Sequence, residues 1–117
     1  MTKNNSATRY ASQQQEARVA KKLGGIVNSN SGAGHFNKSD VKVADASLSI
    51  ECKTSMTPKQ SVSIKKEWIE KHRAEALSNG LFNQCIAFNF NFEDNDDYYV
   101  IDDKLMKFLV EKLREEE

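Results

Sequence analysis

Two segments of this chain, Asp40 to Ala44 (DVKVA) and Ser47 to Lys53 (SLSIECK), alternate apolar and polar residues with period two and are separated only by Asp45 and Ala46. Successive side chains of a strand point to opposite faces of its sheet. The alternation therefore puts Val41 and Val43 on one face of the first strand, and Leu48, Ile50 and Cys52 on one face of the second. A connection this short joins antiparallel neighbours. If Asp45-Ala46 is a two-residue turn, Val43 faces Leu48, Val41 faces Ile50, and Asp40 faces Glu51. Asp-Ala lacks the glycine that tight hairpin turns prefer, and a longer loop or a bulge would shift this register.

Around this hairpin the pattern becomes helical. Thr8 to Leu23 are good helix formers, ended by Gly24-Gly25, and Ile26-Val27 is a short apolar run before the surface loop NSNSGAGHFNKS. Past Pro58, residues 61 to 79 read as a helix with Ile64, Trp68, Ile69, Ala76 and Leu77 inward and Gly80 as its stop. A strand is expected over Cys85 to Phe92, then the acidic loop EDNDD and a strand over Tyr98 to Ile101. Asp102-Asp103 can cap a last helix with an inward stripe of Leu105, Phe108, Leu109 and Leu113. The order is α-β-β-β-α-β-β-α, an α/β fold with a central mixed sheet flanked by helices. At 117 residues with 38% hydrophobic content, the chain has material for one core. Residues 1–7 are expected to be a flexible N-terminus and 8–117 a single domain.

Charge separates along the chain. Residues 1 to 80 carry 13 Lys and Arg against 7 Asp and Glu, net +6, and residues 81 to 117 carry 4 against 10, net −6. A basic face built from the first part would meet a polyanion while the acidic tail faces elsewhere. No apolar run approaches the roughly 18 to 20 residues of a membrane span, and the opening MTKNNSATRY has no hydrophobic signal core, so a cytoplasmic protein without membrane partners is expected. Cys52 and Cys85 sit in apolar runs, not CxxC pairs, and neither a disulfide framework nor a zinc site follows from them.

Glu51 and Lys53 share the strand face that points away from Ile50 and Cys52, with Ser49 beside them. Such a face can simply be wet, its ion pairs of little consequence. In the register above, however, the Asp40 and Glu51 carboxylates oppose each other at roughly 4.5 to 5.5 Å between Cβ atoms, an arrangement that asks for a cation. A divalent ion there would polarise a phosphoryl oxygen and acidify water. Lys53 could stabilise transition-state charge or orient the attacking water. Glu16 lies along the apolar stripe of the first helix with Ala20 and Leu23, where a carboxylate is costly unless paired, which makes it a candidate third acid.

QEARVAKKLGG, a Gly/Ser loop ending in Asp40, and Glu51-Cys52-Lys53 after ten further residues together resemble the PD-(D/E)XK nuclease superfamily, in particular the small Holliday junction resolvases of archaea and phages. The resemblance spans roughly residues 8 to 90. It implies a restriction-endonuclease-like fold in which Asp40, Glu51 and the main-chain carbonyl of Cys52 hold Mg²⁺, with Mn²⁺ as a substitute. Glu16 would complete the acidic cluster directly or through water, and Lys53 would be the catalytic lysine. Ser39 stands where many members carry a proline. The implied substrate is DNA, above all four-way junctions and other branched DNA, and the implied assembly is a homodimer, which an excess of exposed-looking aromatics also favours.

Candidate DNA contacts surround the expected centre: His35 in the flexible loop, Lys38 and Ser39 before Asp40, and Lys59, Gln60, Ser61, Lys65 and Lys66 after the ECK strand. His72, four residues from both Trp68 and Ala76, reads as a core histidine. Gly32 to Gly34 fits neither a P-loop nor a dinucleotide fingerprint. Two rivals stand beside the resolvase reading: a nuclease cutting duplex or single-stranded DNA in repair or restriction, and a non-catalytic DNA-binding module of the same fold.

Overall fold

The computed structural model describes residues 5–28 and 40–116, so the loop contacts expected of His35, Lys38 and Ser39 lie outside the described residues. The elements are α1 (Asn5–Leu23), β1 (Ile26–Val27), β2 (Val41–Val43), a 3-10 turn (Ala44–Ala46), β3 (Leu48–Lys53), α2 (Lys66–Ser78), β4 (Asn83–Phe88), β5 (Tyr98–Val100) and α3 (Asp103–Glu115). The strands form one five-stranded sheet in the order β1-β2-β3-β4-β5. β3 and β4 run parallel and every other neighbouring pair is antiparallel, so the sheet is mixed and flanked by helices, as expected. Parallel neighbours need a crossover, which α2 supplies.

The hairpin register is Val41↔Ile50, Lys42↔Ser49 and Val43↔Leu48. The turn itself differs from the expected two-residue form. Ala44 to Ala46 make a 3-10 turn and Ser47 closes it in the left-handed region at φ 51°. The longer loop is centred on the same residues, which is why the pairing is unshifted. Ser47 is tied to the start of β4, its Oγ accepting from the Phe82 N–H at 2.9 Å and its carbonyl from the Asn83 N–H at 2.9 Å.

The core forms where α1 meets the even face of β3. Val19 and Ala20 pack with Val41, Val43, Ile50, Cys85 and Ala87, and Cys52 lies against them. Gly25, just past α1, runs so close to β2 that a Cβ there would stand 2.7 Å from the Lys42 carbonyl oxygen. α2 covers the opposite face, and this corrects the reading of that face as wet: Ser49 is fully buried beneath α2.

Several boundaries move. α1 begins at Asn5, three residues before the expected Thr8, so residues 5–7 belong to the helix and not to a flexible terminus. Its buried stripe is Ala11, Gln15, Val19 and Ala20, while Leu23 is exposed. α2 starts at Lys66, not 61, because Lys65 is extended and the preceding Ser61-Val62-Ser63-Ile64 are poor helix formers; Leu77, expected inward, is exposed. β4 spans Asn83–Phe88 and stops short of Phe92. At Asn89 the ladder gives way to loop contacts, with its Oδ1 accepting from the Ser55 N–H at 2.8 Å and its carbonyl from the Ser55 hydroxyl at 3.0 Å.

Asp102 caps α3 as expected, its Oδ1 accepting from the Leu105 N–H at 2.9 Å, while Asp103 is already helical. The stripe of α3 is not core. Phe108, Leu109 and Leu113 are exposed and α3 contains no buried residue, because no other element among the described residues covers them. No helix among the described residues is long and apolar enough to cross a membrane.

Candidate functional site

The odd face of β3 meets α2 in a cleft of about 330 Å³ lined by Asp40, Glu51, Lys53, Trp68, His72 and Glu75. Asp40 enters it from the residue before β2. Its backbone N–H donates to the Ile50 carbonyl at 3.1 Å, and its Oδ2 accepts from the Cys52 N–H at 2.8 Å. The second bond anchors the first acid to the residue between Glu51 and Lys53.

Glu51 divides its oxygens. Oε2 lies 3.6 Å from Lys53 Nζ, and Oε1 lies 3.9 Å from His72 Nδ1. Lys53 is held from the other side by Trp68, whose ring centroid is 4.4 Å from the ammonium. Trp68 was expected inside the core, but it is half-buried and serves as the platform for Lys53.

Three carboxyls from three separate elements sense one another. Burial, then the charges of Asp40 and Glu51, push Glu16 up to about 7. Burial and Glu51 push Asp40 up to about 6, against the pull of the Cys52 N–H. Burial raises Glu51 as well, opposed by the Lys53 ammonium. Each anion makes the next one dearer, and positive charge from a divalent ion relieves all three. Asp40 and Glu51, which line the cleft, offer carboxylate oxygens of the kind Mg²⁺ or Mn²⁺ accepts, whereas Glu16 does not line it, and among the described residues the acids are not drawn together as closely as Glu51, His72 and Glu75, whose ligand atoms lie within 4.8 Å of one another.

Behind the site a buried network fixes the strand end. Gln15, 1% exposed, donates through Nε2 to the carbonyl of Lys53 at 3.0 Å and to Asp97 Oδ1 at 3.3 Å. Arg18 grips Asp97 with two bonds, Nε to Oδ2 at 2.7 Å and Nη2 to Oδ1 at 2.9 Å. One residue of the acidic loop is thus pulled inward to support the strand carrying Lys53.

A second groove continues from Lys53 past Thr54, Ser55, Lys59, Ser61 and Lys65 to Asn89. It brings Lys59 and Lys65 to the site. Gln60 and Lys66 do not line it, and Lys66 instead pairs with Glu70 one turn along α2 at 3.8 Å. Both cysteines are free, and burial raises Cys85 to about 12 and Cys52 further still, so neither offers a thiolate at neutral pH.

The residues missed from sequence are Gln15, His72 as a site group, and Glu75. His72 and Glu75 are one helical turn apart, but nothing in the sequence says that α2 lies over the Glu51 face. Compared with protein families, with curated proteins and with solved structures, the chain gives no match.

Proposed function

We propose that this protein is a Mg²⁺-dependent DNA endonuclease with a restriction-endonuclease-like fold, cutting branched DNA as a Holliday junction resolvase does and working in the cytoplasm as a homodimer. The observation that carries this reading is the cleft that Asp40, Glu51 and Lys53 line together, with Lys53 Nζ 3.6 Å from Glu51, while Glu16 outside its lining feels the charges of both acids. Asp40, Glu51 and the Cys52 carbonyl would hold Mg²⁺ or Mn²⁺, with Glu16 joining directly or through water. When bound, the ion supplies Lewis acidity toward the scissile phosphoryl oxygen and toward water.

The chain's own groups do the rest. Lys53, held between Glu51 and Trp68, places a fixed positive charge where a phosphoryl group gains negative charge. Glu16, raised to about 7 in the metal-free chain, would be turned toward its anion by a bound divalent ion and so be ready to join the set. Lys59 and Lys65 line the groove that leads from Lys53 and suit a phosphate backbone. The exposed apolar face of α3 would be covered in the homodimer, and a twofold pair of sites suits paired cuts in opposing strands.

The test is cleavage of a synthetic four-way junction and a linear duplex of the same sequence, side by side in Mg²⁺. Faster cutting of the junction is expected. Equal rates would remove the resolvase assignment and leave a general nuclease, and no cutting of either would remove the enzyme.

A further inference from the structure

The buried histidine beneath α2 raises a question that the carboxylate site does not answer. His72 is 2% exposed, and its Nε2 lies 3.1 Å from the Ser49 carbonyl oxygen, an acceptor only. Nε2 therefore carries a proton, and in the neutral ring Nδ1 carries the lone pair. Nδ1 is buried without a hydrogen-bond partner and faces two carboxylates, Glu51 Oε1 at 3.9 Å and Glu75 Oε1 at 4.0 Å. A nitrogen lone pair and two carboxylate oxygens, all within 4.8 Å of one another, form a group of acceptors with no proton among them. Lys53 reaches the other oxygen of Glu51, and Lys71, which also lines the cleft, eases the Glu51 charge without coming within ion-pair distance of these groups among the described residues.

The geometry points to a second metal site, in which His72 Nδ1, Glu51 and Glu75 hold a first-row divalent transition ion such as Zn²⁺. One imidazole nitrogen with two carboxylates is a donor set for borderline ions, whereas Mg²⁺ prefers oxygen and water alone. Ligand atoms around a tetrahedral ion stand about 3.4 Å apart, so modest rotation of the two glutamate side chains closes the group. The Ser49 carbonyl supplies the outer partner that fixes the tautomer of a metal-binding histidine. Because Glu51 offers its opposite oxygen to the Lys53 side, it can belong to both sets. The site does not depend on the nuclease reading.

The test reads metal, not cleavage. The chelator-treated full chain is titrated with Zn²⁺ by calorimetry, with Mg²⁺ present throughout, alongside Glu75→Gln, His72→Gln and Asp40→Asn. The chain has two histidines, His35 and His72, so imidazole nitrogen resonances report which of them binds. The expected result is one tight Zn²⁺ per chain that shifts His72 Nδ1. Glu75→Gln, a change of nearly equal shape at a partly buried side chain that lines the cleft, should weaken it at least about tenfold, the low end of what losing even an outer partner costs. Asp40→Asn should bind Zn²⁺ as the parent does. Zinc that shifts only His35, unchanged affinity in Glu75→Gln, or a loss confined to Asp40→Asn would each overturn the inference, the last by assigning the ion to the carboxylate set.

Discussion

The backbone N–H of Cys52 donates to Oδ2 of Asp40 across 2.8 Å. This bond joins β3 to the residue that precedes β2 and sets the first acid beside the second. It also separates structure from chemistry at Asp40. Asp40→Asn keeps a side-chain oxygen that can accept the bond but removes a charge that burial and Glu51 disfavour, so the metal-free variant should melt at or above the parent's midpoint near neutral pH while cleavage falls by about a hundredfold or more. Asp40→Ala should lose both. Calorimetric melts and junction-cleavage rates measured on the two variants decide this, and an active Asp40→Asn would contradict it.

Trp68 acts through Lys53. With the ring centroid 4.4 Å from the ammonium, a cation–π contact worth about 0.5 to 2 kcal/mol holds the lysine in the cleft. Trp68→Leu should lower kcat by about tenfold and Trp68→Phe should restore most of it. A loss seen only in KM would assign Trp68 to substrate binding instead.

Glu16 sets a pH dependence. Its folded pKa, about 7, lies above its ordinary 4.5. A carboxyl raised in this way favours the folded state below its unfolded pKa and loses that contribution as pH rises through the folded value. Between pH 4.5 and about 7, the metal-free parent should therefore lose stability relative to Glu16→Gln, by several degrees in Tm. Saturating Mg²⁺ should narrow the gap by favouring the anion. Melts in chelator across this range test it, and parallel curves for parent and variant would refute it.

Asp97 has a side chain only 1% exposed and depends on Arg18 for its charge balance. Arg18→Leu should cost about 3 kcal/mol, because it leaves a buried carboxylate supported by Gln15 alone. The double variant Arg18→Leu/Asp97→Leu should recover part of the loss. Denaturant unfolding measures both, and a single-variant cost below about 1 kcal/mol would mark the pair as a surface salt bridge.

The hairpin was legible because its two strands alternate cleanly and the real loop, although longer, keeps the same centre, so Val41 meets Ile50 either way. The approach of Asp40 to the Glu51 strand followed from that register. What the sequence could not convey is the covering of each face. Ser49 looked wet because a small hydroxyl fits solvent as well as the underside of a helix. His72 looked like core because burial alone does not reveal that its second nitrogen faces two acids. The stripe of α3 was placed inside by its helical period, which identifies an apolar face but not what covers it. Gln15 gave no signal, since its role lies in reaching a backbone carbonyl distant in sequence.

Metal-dependent cleavage through Lys53 is decided by incubating the purified protein with a four-way DNA junction while Mg²⁺ is withheld and then added, with Lys53→Ala in parallel. Cleavage by the parent is expected only after Mg²⁺ is added, and none by Lys53→Ala. Cleavage without a divalent ion, or at the parent rate in Lys53→Ala, would contradict it.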